Sequence, residues 1–136
     1  MKTKIAAPPN EEIDEFITHK TRQYNKQFVE DDYQPLSVHA SSENGDVIGG
    51  LVGKTYWNYL EVEFLWVEDA HRRQGLAAKI MAEAEREARQ RGCHTIILDT
   101  YEFQALGFYE RIGFQQFGQL DEFAGRFKRY YLKKTI

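Results

Sequence analysis

The spacing of apolar residues changes period several times along the chain, and each change marks an element. From about Glu11 to Phe28, the residues Ile13, Phe16, Ile17 and Tyr24 recur at helical intervals. A short strand over Thr3 to Ala6 is expected before the Pro8–Pro9 pair, and the acidic run Glu30, Asp31, Asp32 reads as a loop. Leu36 to Ala40 and Val47 to Thr55 read as two strands joined by Glu43-Asn44-Gly45-Asp46, because Asn and Gly both tolerate positive φ. Tyr59 to Val67 alternates with period two: Leu60, Val62, Phe64 and Trp66 are expected on one face, Glu61, Glu63 and Leu65 on the other.

The period then returns to that of a helix. Leu76, Ile80, Ala84 and Ala88 repeat every fourth residue with Ala77 and Met81 beside them, while Glu83, Glu85, Arg86, Glu87 and Arg89 form a charged face. Gly92 stands where a C-terminal cap belongs. Thr95 to Asp99 predicts a short apolar strand. Ala105, Phe108, Tyr109 and Ile112 predict a second helix capped by Gly113, and Phe114 to Leu120 and Arg129 to Lys133 predict closing strands. This order implies an α/β (α+β) fold in one domain spanning residues 1–136. Its expected architecture is one sheet with helices on both faces and antiparallel strands at the N-terminal side.

Composition narrows the chemistry. With 136 residues, 42% hydrophobic and 29% charged, the chain can bury a core and is not of disordered type. A net charge of -3 argues against general nucleic-acid binding. The basic-aromatic tail Arg126 to Lys134 is read as strand alternation with edge-blunting charges. Cys93 is the single cysteine and the 4 histidines show no ligand spacing, so neither a disulfide nor a metal site is expected. No apolar run suits a signal peptide or a membrane span, and the expected location is cytoplasmic.

Between the third strand and the alanine-rich helix lie Arg72, Arg73, Gln74, Gly75, Leu76, Ala77, Ala78 and Lys79. The first turn of a helix carries N–H groups without intrahelical partners and a partial positive charge. Small residues at Gly75 and Ala77 let an anion approach, and Arg72, Arg73 and Lys79 add cations suited to phosphate. The stretch is therefore either a pyrophosphate cradle or a basic, solvated loop leading into an ordinary helix. It is neither a nucleotide-triphosphate loop nor a dinucleotide fingerprint, since both glycine spacings are missing.

Arg72-Arg73-Gln74-Gly75-Leu76-Ala77, entered from Leu65-Trp66-Val67, resembles the acetyl-CoA-binding loop of the GNAT superfamily of N-acetyltransferases. Further on, Gln104-Ala105-Leu106-Gly107-Phe108-Tyr109-Glu110-Arg111-Ile112-Gly113-Phe114 resembles that superfamily's second motif. The resemblance covers roughly Leu60 to Phe114. It implies the GNAT fold, with a central mixed, mostly antiparallel sheet, and acetyl-CoA as cosubstrate without a metal. Leu65, Trp66, Val67, Arg72 to Lys79, Gln104, Phe108 and Tyr109 are the implied coenzyme-binding positions. Ala77 replaces the loop's usual second glycine. Glu102 stands where many members carry an asparagine, and Gln104 is the candidate replacement. Asp99-Thr100-Tyr101-Glu102-Phe103-Gln104-Ala105 is similar to a run in small bacterial members.

Acetyl transfer to an amine imposes three demands. An alkylamine with pKa near ~10.4 must lose its proton, which at pH 7 costs roughly 4.6 kcal/mol. Glu61 and Glu63 are the candidate bases, Glu63 preferred, against the alternative of a solvated strand face. The oxyanion needs donors, which the resemblance places on the backbone around Leu65 to Val67. The departing thiolate needs a proton, and Tyr109 matches the family's tyrosine acid, although it also fits the apolar stripe with Phe108 and Ile112. The expected activity is direct transfer from acetyl-CoA to a primary amine of a small acceptor. The acidic residues Glu30, Asp31, Asp32, Glu61 and Glu63 suggest that this acceptor is cationic. Acetylation of a protein lysine or N-terminus, or coenzyme binding without turnover, are the alternatives. No nucleic-acid or membrane partner is expected, and a homodimer is a candidate assembly.

Overall fold

The computed structural model describes residues 1–136. The chain forms two compact units, Met1–Asp31 and Asp32–Ile136. In the first, α1 (Glu11–Asn25) opens at Asn10, whose side chain accepts from the Ile13 N–H at 3.2 Å, and places Glu11, Glu12 and Asp14 in its first turn. Both features suit the positive end of a helix. The expected strand at Thr3 to Ala6 does not form, since that stretch has no strand partner and runs into Pro8 and Pro9. The helix stops at Asn25, short of the expected Phe28.

The second unit holds β1 (Gln34–Ser41), β2 (Val47–Tyr56), β3 (Tyr59–Val67), α2 (Leu76–Gln90), β4 (Thr95–Tyr101), α3 (Leu106–Arg111), β5 (Gln115–Phe123) and β6 (Phe127–Thr135). The strands make one six-stranded sheet in the order β1-β2-β3-β4-β6-β5. Only β3 and β4 run parallel; every other neighbouring pair is antiparallel. A parallel pair needs a crossover, and α2 supplies it. The sheet is thus mixed and mostly antiparallel, with α2 packed on β1, β2 and β3. No helix is long and apolar enough to cross a membrane.

One buried cluster joins Leu51, Leu60, Val62 and Ile96 of the sheet with Ile80, Met81, Ala84 and Ala88 of α2 and with Tyr109 and Phe114 at α3. Alanine at two of the four α2 positions brings helix and sheet close together. Arg91 fixes the far end of α2: its Nη1 donates to the carbonyls of Gln34 and Pro35 and to the Thr55 hydroxyl, while its Nε pairs with Glu87 at 2.9 Å. Gly92, at φ 84, ends the helix as expected, and Cys93 is buried behind it.

The alternation expected along β3 holds only halfway. Leu60 and Val62 are buried, but Phe64 and Trp66 are exposed, and Leu65 and Val67 turn inward instead. The cause is a β-bulge. Val52 pairs with Phe64 and Gly53 with Val62, so Glu63 is an extra residue without a partner. One inserted residue reverses the facing of all that follow. Gly53 makes the bulge possible, because a Cβ there would lie 2.5 Å from the Glu61 carbonyl oxygen.

Candidate active site

The bulge at Glu63 is the first of three backbone features that build the site. The second is a fork. The parallel pairing of β3 with β4 runs from Tyr59↔Thr95 to Glu61↔Ile97 and stops. Beyond it the strands diverge, and the edge of β3 from Val62 to Val67 that faced β4 has no strand partner. The gap opens into a cavity of about 540 Å³ bounded by the diverging ends of β3 and β4, the β4–α3 connection and the first turns of α2 and α3.

The third feature is the start of α2. Its N-cap is Gly75, held at φ 78, and no side chain caps the helix. The first turn contains no acidic residue, in contrast to α1. Lys79 N–H makes the first bond of the helix, to Gly75 O at 3.1 Å. The amides of Leu76, Ala77 and Ala78 before it are left for an outside acceptor. A side chain at Gly75 would meet nothing within 4 Å, so the glycine is required by its left-handed backbone rather than by crowding. Uncapped amides, absent acids and adjacent Arg72, Arg73 and Lys79 fit a diphosphate.

Of the residues singled out from sequence, Glu63, Leu65, Trp66, Val67, Arg72, Ala77, Gln104, Phe108 and Tyr109 line the cavity. Arg73, Gln74, Gly75, Leu76, Ala78 and Lys79 lie outside its lining, along the turn into α2. Glu61 also lies outside it, one step back in the intact β3–β4 ladder. Arg72 has a structural duty as well: its Nε donates to the Val67 carbonyl at 3.1 Å and its Nη1 pairs with Asp69 at 3.0 Å, which folds the loop back on the strand end.

Gln104 is largely committed. Its Oε1 accepts from the Thr100 hydroxyl at 3.1 Å and from the Tyr101 N–H at 2.8 Å, tying β4 to α3. Only its amide nitrogen remains for a ligand. Glu102 turns elsewhere, accepting from the Lys128 N–H at 3.3 Å.

Lys54 of β2 was not foreseen. Its ammonium lies 3.8 Å from Glu61 and 3.3 Å from Glu63, so both candidate bases share one cation. Burial pulls the Lys54 pKa down, but the two carboxylates outweigh it and the net direction is upward. Asp99 was also missed. It lines the cavity on β4, and its Oδ2 accepts from Arg129 Nε at 2.9 Å. The Arg129 guanidinium in turn lies 5.1 to 5.6 Å from the rings of Tyr101, Phe123 and Tyr131. A lone acid within the apolar run Thr95 to Tyr101 was the available sequence signal.

Tyr109 is 8% exposed. Burial, and then the charge of Asp99, push its pKa up to about 12. The phenol is therefore neutral throughout the working range. Donation to a thiolate of pKa about 8.5 is uphill by roughly 5 kcal/mol in the ligand-free cavity, more than an ordinary tyrosine would face.

A six-stranded mixed sheet forked between its two parallel strands, with an uncapped helix start beside the fork, is the scaffold of an acetyltransferase. The chain belongs to the GNAT acetyltransferase family: the model described as Acetyltransferase (GNAT) family matches residues 5–114. It is 36% identical over 107 residues to a blasticidin-S acetyltransferase of Streptomyces morookaense, covering 76% of this chain and 79% of that protein. An acetyltransferase of Agrobacterium fabrum is 44% identical over 93 residues, 68% of either chain. A crystal structure from Agrobacterium tumefaciens, assigned as an acetyltransferase, superposes with a TM-score of 0.92 at 35% identity and full coverage of both chains. The protein is an acetyl-CoA-dependent acetyltransferase.

Proposed function

We propose that the protein transfers the acetyl group directly from acetyl-CoA to a primary amine of a small, cationic acceptor. The fork between β3 and β4 carries this reading. It joins the uncapped start of α2, suited to a diphosphate, to a cavity that holds both a carboxylate and a buried phenol. The amides of Leu76 to Ala78, with Arg72, Arg73 and Lys79, hold the diphosphate. The unpaired edge of β3 receives the pantetheine amides in the manner of an added strand. Backbone N–H groups around Leu65 to Val67 hold the oxyanion.

Glu63 is the better placed of the two glutamates, since the bulge turns it into the cavity while Glu61 stays in the ladder. It takes the proton of the amine directly or through water, and Tyr109 returns one to the sulfur. Similarity to a blasticidin-S acetyltransferase supports a small-molecule acceptor and puts blasticidin S first among those to try. The test is release of free thiol from acetyl-CoA against a panel of amines that includes blasticidin S, spermidine and benzylamine. Amine-dependent release is expected. Coenzyme binding without release to any amine would instead make the protein a binding module.

A further inference from the structure

Like charges directly opposite one another across a pair of strands are destabilising. The β3–β4 register, continued two residues past Glu61↔Ile97, sets Glu63 against Asp99. The strands part before that pairing is made, and both carboxylates end up lining the cavity, one carried by β3 and the other by β4. Each is paired with a cation from the next strand out: Lys54 of β2 at 3.3 Å from Glu63, Arg129 of β6 at 2.9 Å from Asp99. The cations hold the carboxylates in place without entering the gap, since neither Lys54 nor Arg129 lines it. Exposed aromatic surface of Phe64 and Phe103 borders the same opening, at 69% and 61% exposure.

The geometry points to Glu63 and Asp99 as two halves of one receptor for the protonated amine of the acceptor, with Asp99 an acceptor-binding residue in its own right. This rests on the acetyltransferase reading given above. An ammonium has three donors and no acceptor, so it can bridge two carboxylates that line one cavity. Asp99 offers it Oδ1, the oxygen that Arg129 Nε does not use. The arrangement also links the arrival of substrate to the acid. Asp99 is the charge that disfavours the Tyr109 phenolate, after burial itself. The nitrogen regains a positive charge as the neutral amine attacks the thioester, and beside Asp99 that charge offsets the carboxylate at the stage when the phenol must donate.

The experiment compares wild type, Asp99→Asn, Asp99→Glu and Glu63→Gln by thiol release, with spermidine, benzylamine and blasticidin S as acceptors. Asp99→Asn keeps the size of the side chain and an acceptor for Arg129 but loses the charge. It should raise the KM of the acceptor about tenfold, the effect of losing one hydrogen bond to a charged group. The KM for acetyl-CoA should stay within twofold, and Asp99→Glu should recover most of the loss. If Asp99 only clamps Arg129, Asp99→Asn would leave acceptor KM unchanged, or would weaken both substrates and the fold together; either result overturns the proposal. An Asp99→Asn protein that did not fold would shift the decision to Asp99→Glu and Glu63→Gln. Acceptor KM must then rise above tenfold for Glu63→Gln and stay near wild type for Asp99→Glu, and any other pattern refutes the pair. Absence of thiol release in wild type with every amine is a different failure, and it removes the acetyltransferase reading itself.

Discussion

Tyr109 carries a cost that its surroundings impose. A phenol whose folded pKa is raised favours the folded state while neutral. That contribution is whole below about pH 10, where the unfolded chain would ionise, and is lost as pH climbs toward about 12. The rise from an ordinary phenol to about 12 corresponds to about 3 kcal/mol. Tyr109→Phe should therefore flatten the fall in stability between pH 10 and 12, measured as urea midpoints of variant and wild type at both ends. The same variant should lower kcat by about a hundredfold or more while coenzyme affinity is kept. Unchanged turnover would take Tyr109 out of the reaction. Gly75 makes a second case at this scale. Since its φ is 78 with open space around it, Gly75→Ala adds strain rather than a clash. Calorimetry should show a loss of about 1–2 kcal/mol in stability, together with weaker CoA binding as the amides of α2 lose their aim.

At the scale of elements, the bulge in β3 decides which side chains of that strand turn inward and which outward. Gly53→Ala places a methyl group 2.5 Å from the Glu61 carbonyl oxygen, a contact only backbone movement can relieve. The expected loss is about 2 kcal/mol in chemical denaturation, with a rise in acceptor KM because Glu63 sits on the displaced bulge. An equal loss of stability with normal acceptor kinetics would separate the bulge from substrate binding. The same element shows where the sequence stopped being readable. Period-two spacing located β3 correctly, but nothing in Leu60 to Val67 marks the extra residue, which becomes visible only when Val52 is seen opposite Phe64. Gly53 was the nearest hint, and a glycine in a strand has several uses.

The turn into α2 was legible for the opposite reason. Gly75 and the cations before α2 act through local backbone geometry, which a short stretch of sequence encodes. Asp99 and Lys54 make contacts between strands distant in the chain, and Phe103 stands in the loop after β4, so their places around the cavity depend on the fork. The fold as a whole was legible to the extent that period reported it. The strand at Thr3 to Ala6 failed because a few alternating residues have no partner to pair with. The β2–β3 turn at Trp57 and Asn58, with φ 47 and 73, carries residues other than the glycine such turns favour. It is instead fastened by the Trp57 N–H, which donates to Asp32 at 2.9 Å.

For the whole molecule, the fork and the uncapped start of α2 leave stability that a ligand could restore. An uncapped helix start lacks the roughly 1 kcal/mol that a side-chain cap supplies, and the forked strands leave backbone groups of β3 unpaired. In the proposed binding mode CoA satisfies both at once, so binding should stabilise the fold by linkage. At a hundred times its Kd the gain is about 2.7 kcal/mol, which for a chain of this length is about 9 °C in Tm. Arg73 and Lys79 are exposed, so the attraction proposed between them and the diphosphate would be screened by salt. The Tm increment should therefore shrink as salt rises from about 0.05 to 0.5 M, and Arg73→Ala should reduce that dependence without altering the Tm of the free protein. Arg72→Ala should behave differently, lowering Tm even without CoA, because Arg72 also holds the Val67 carbonyl and Asp69. If the two arginine variants prove alike in free protein and complex, the division between Arg72, which builds the loop as well as meeting the phosphates, and Arg73, which only meets them, is wrong.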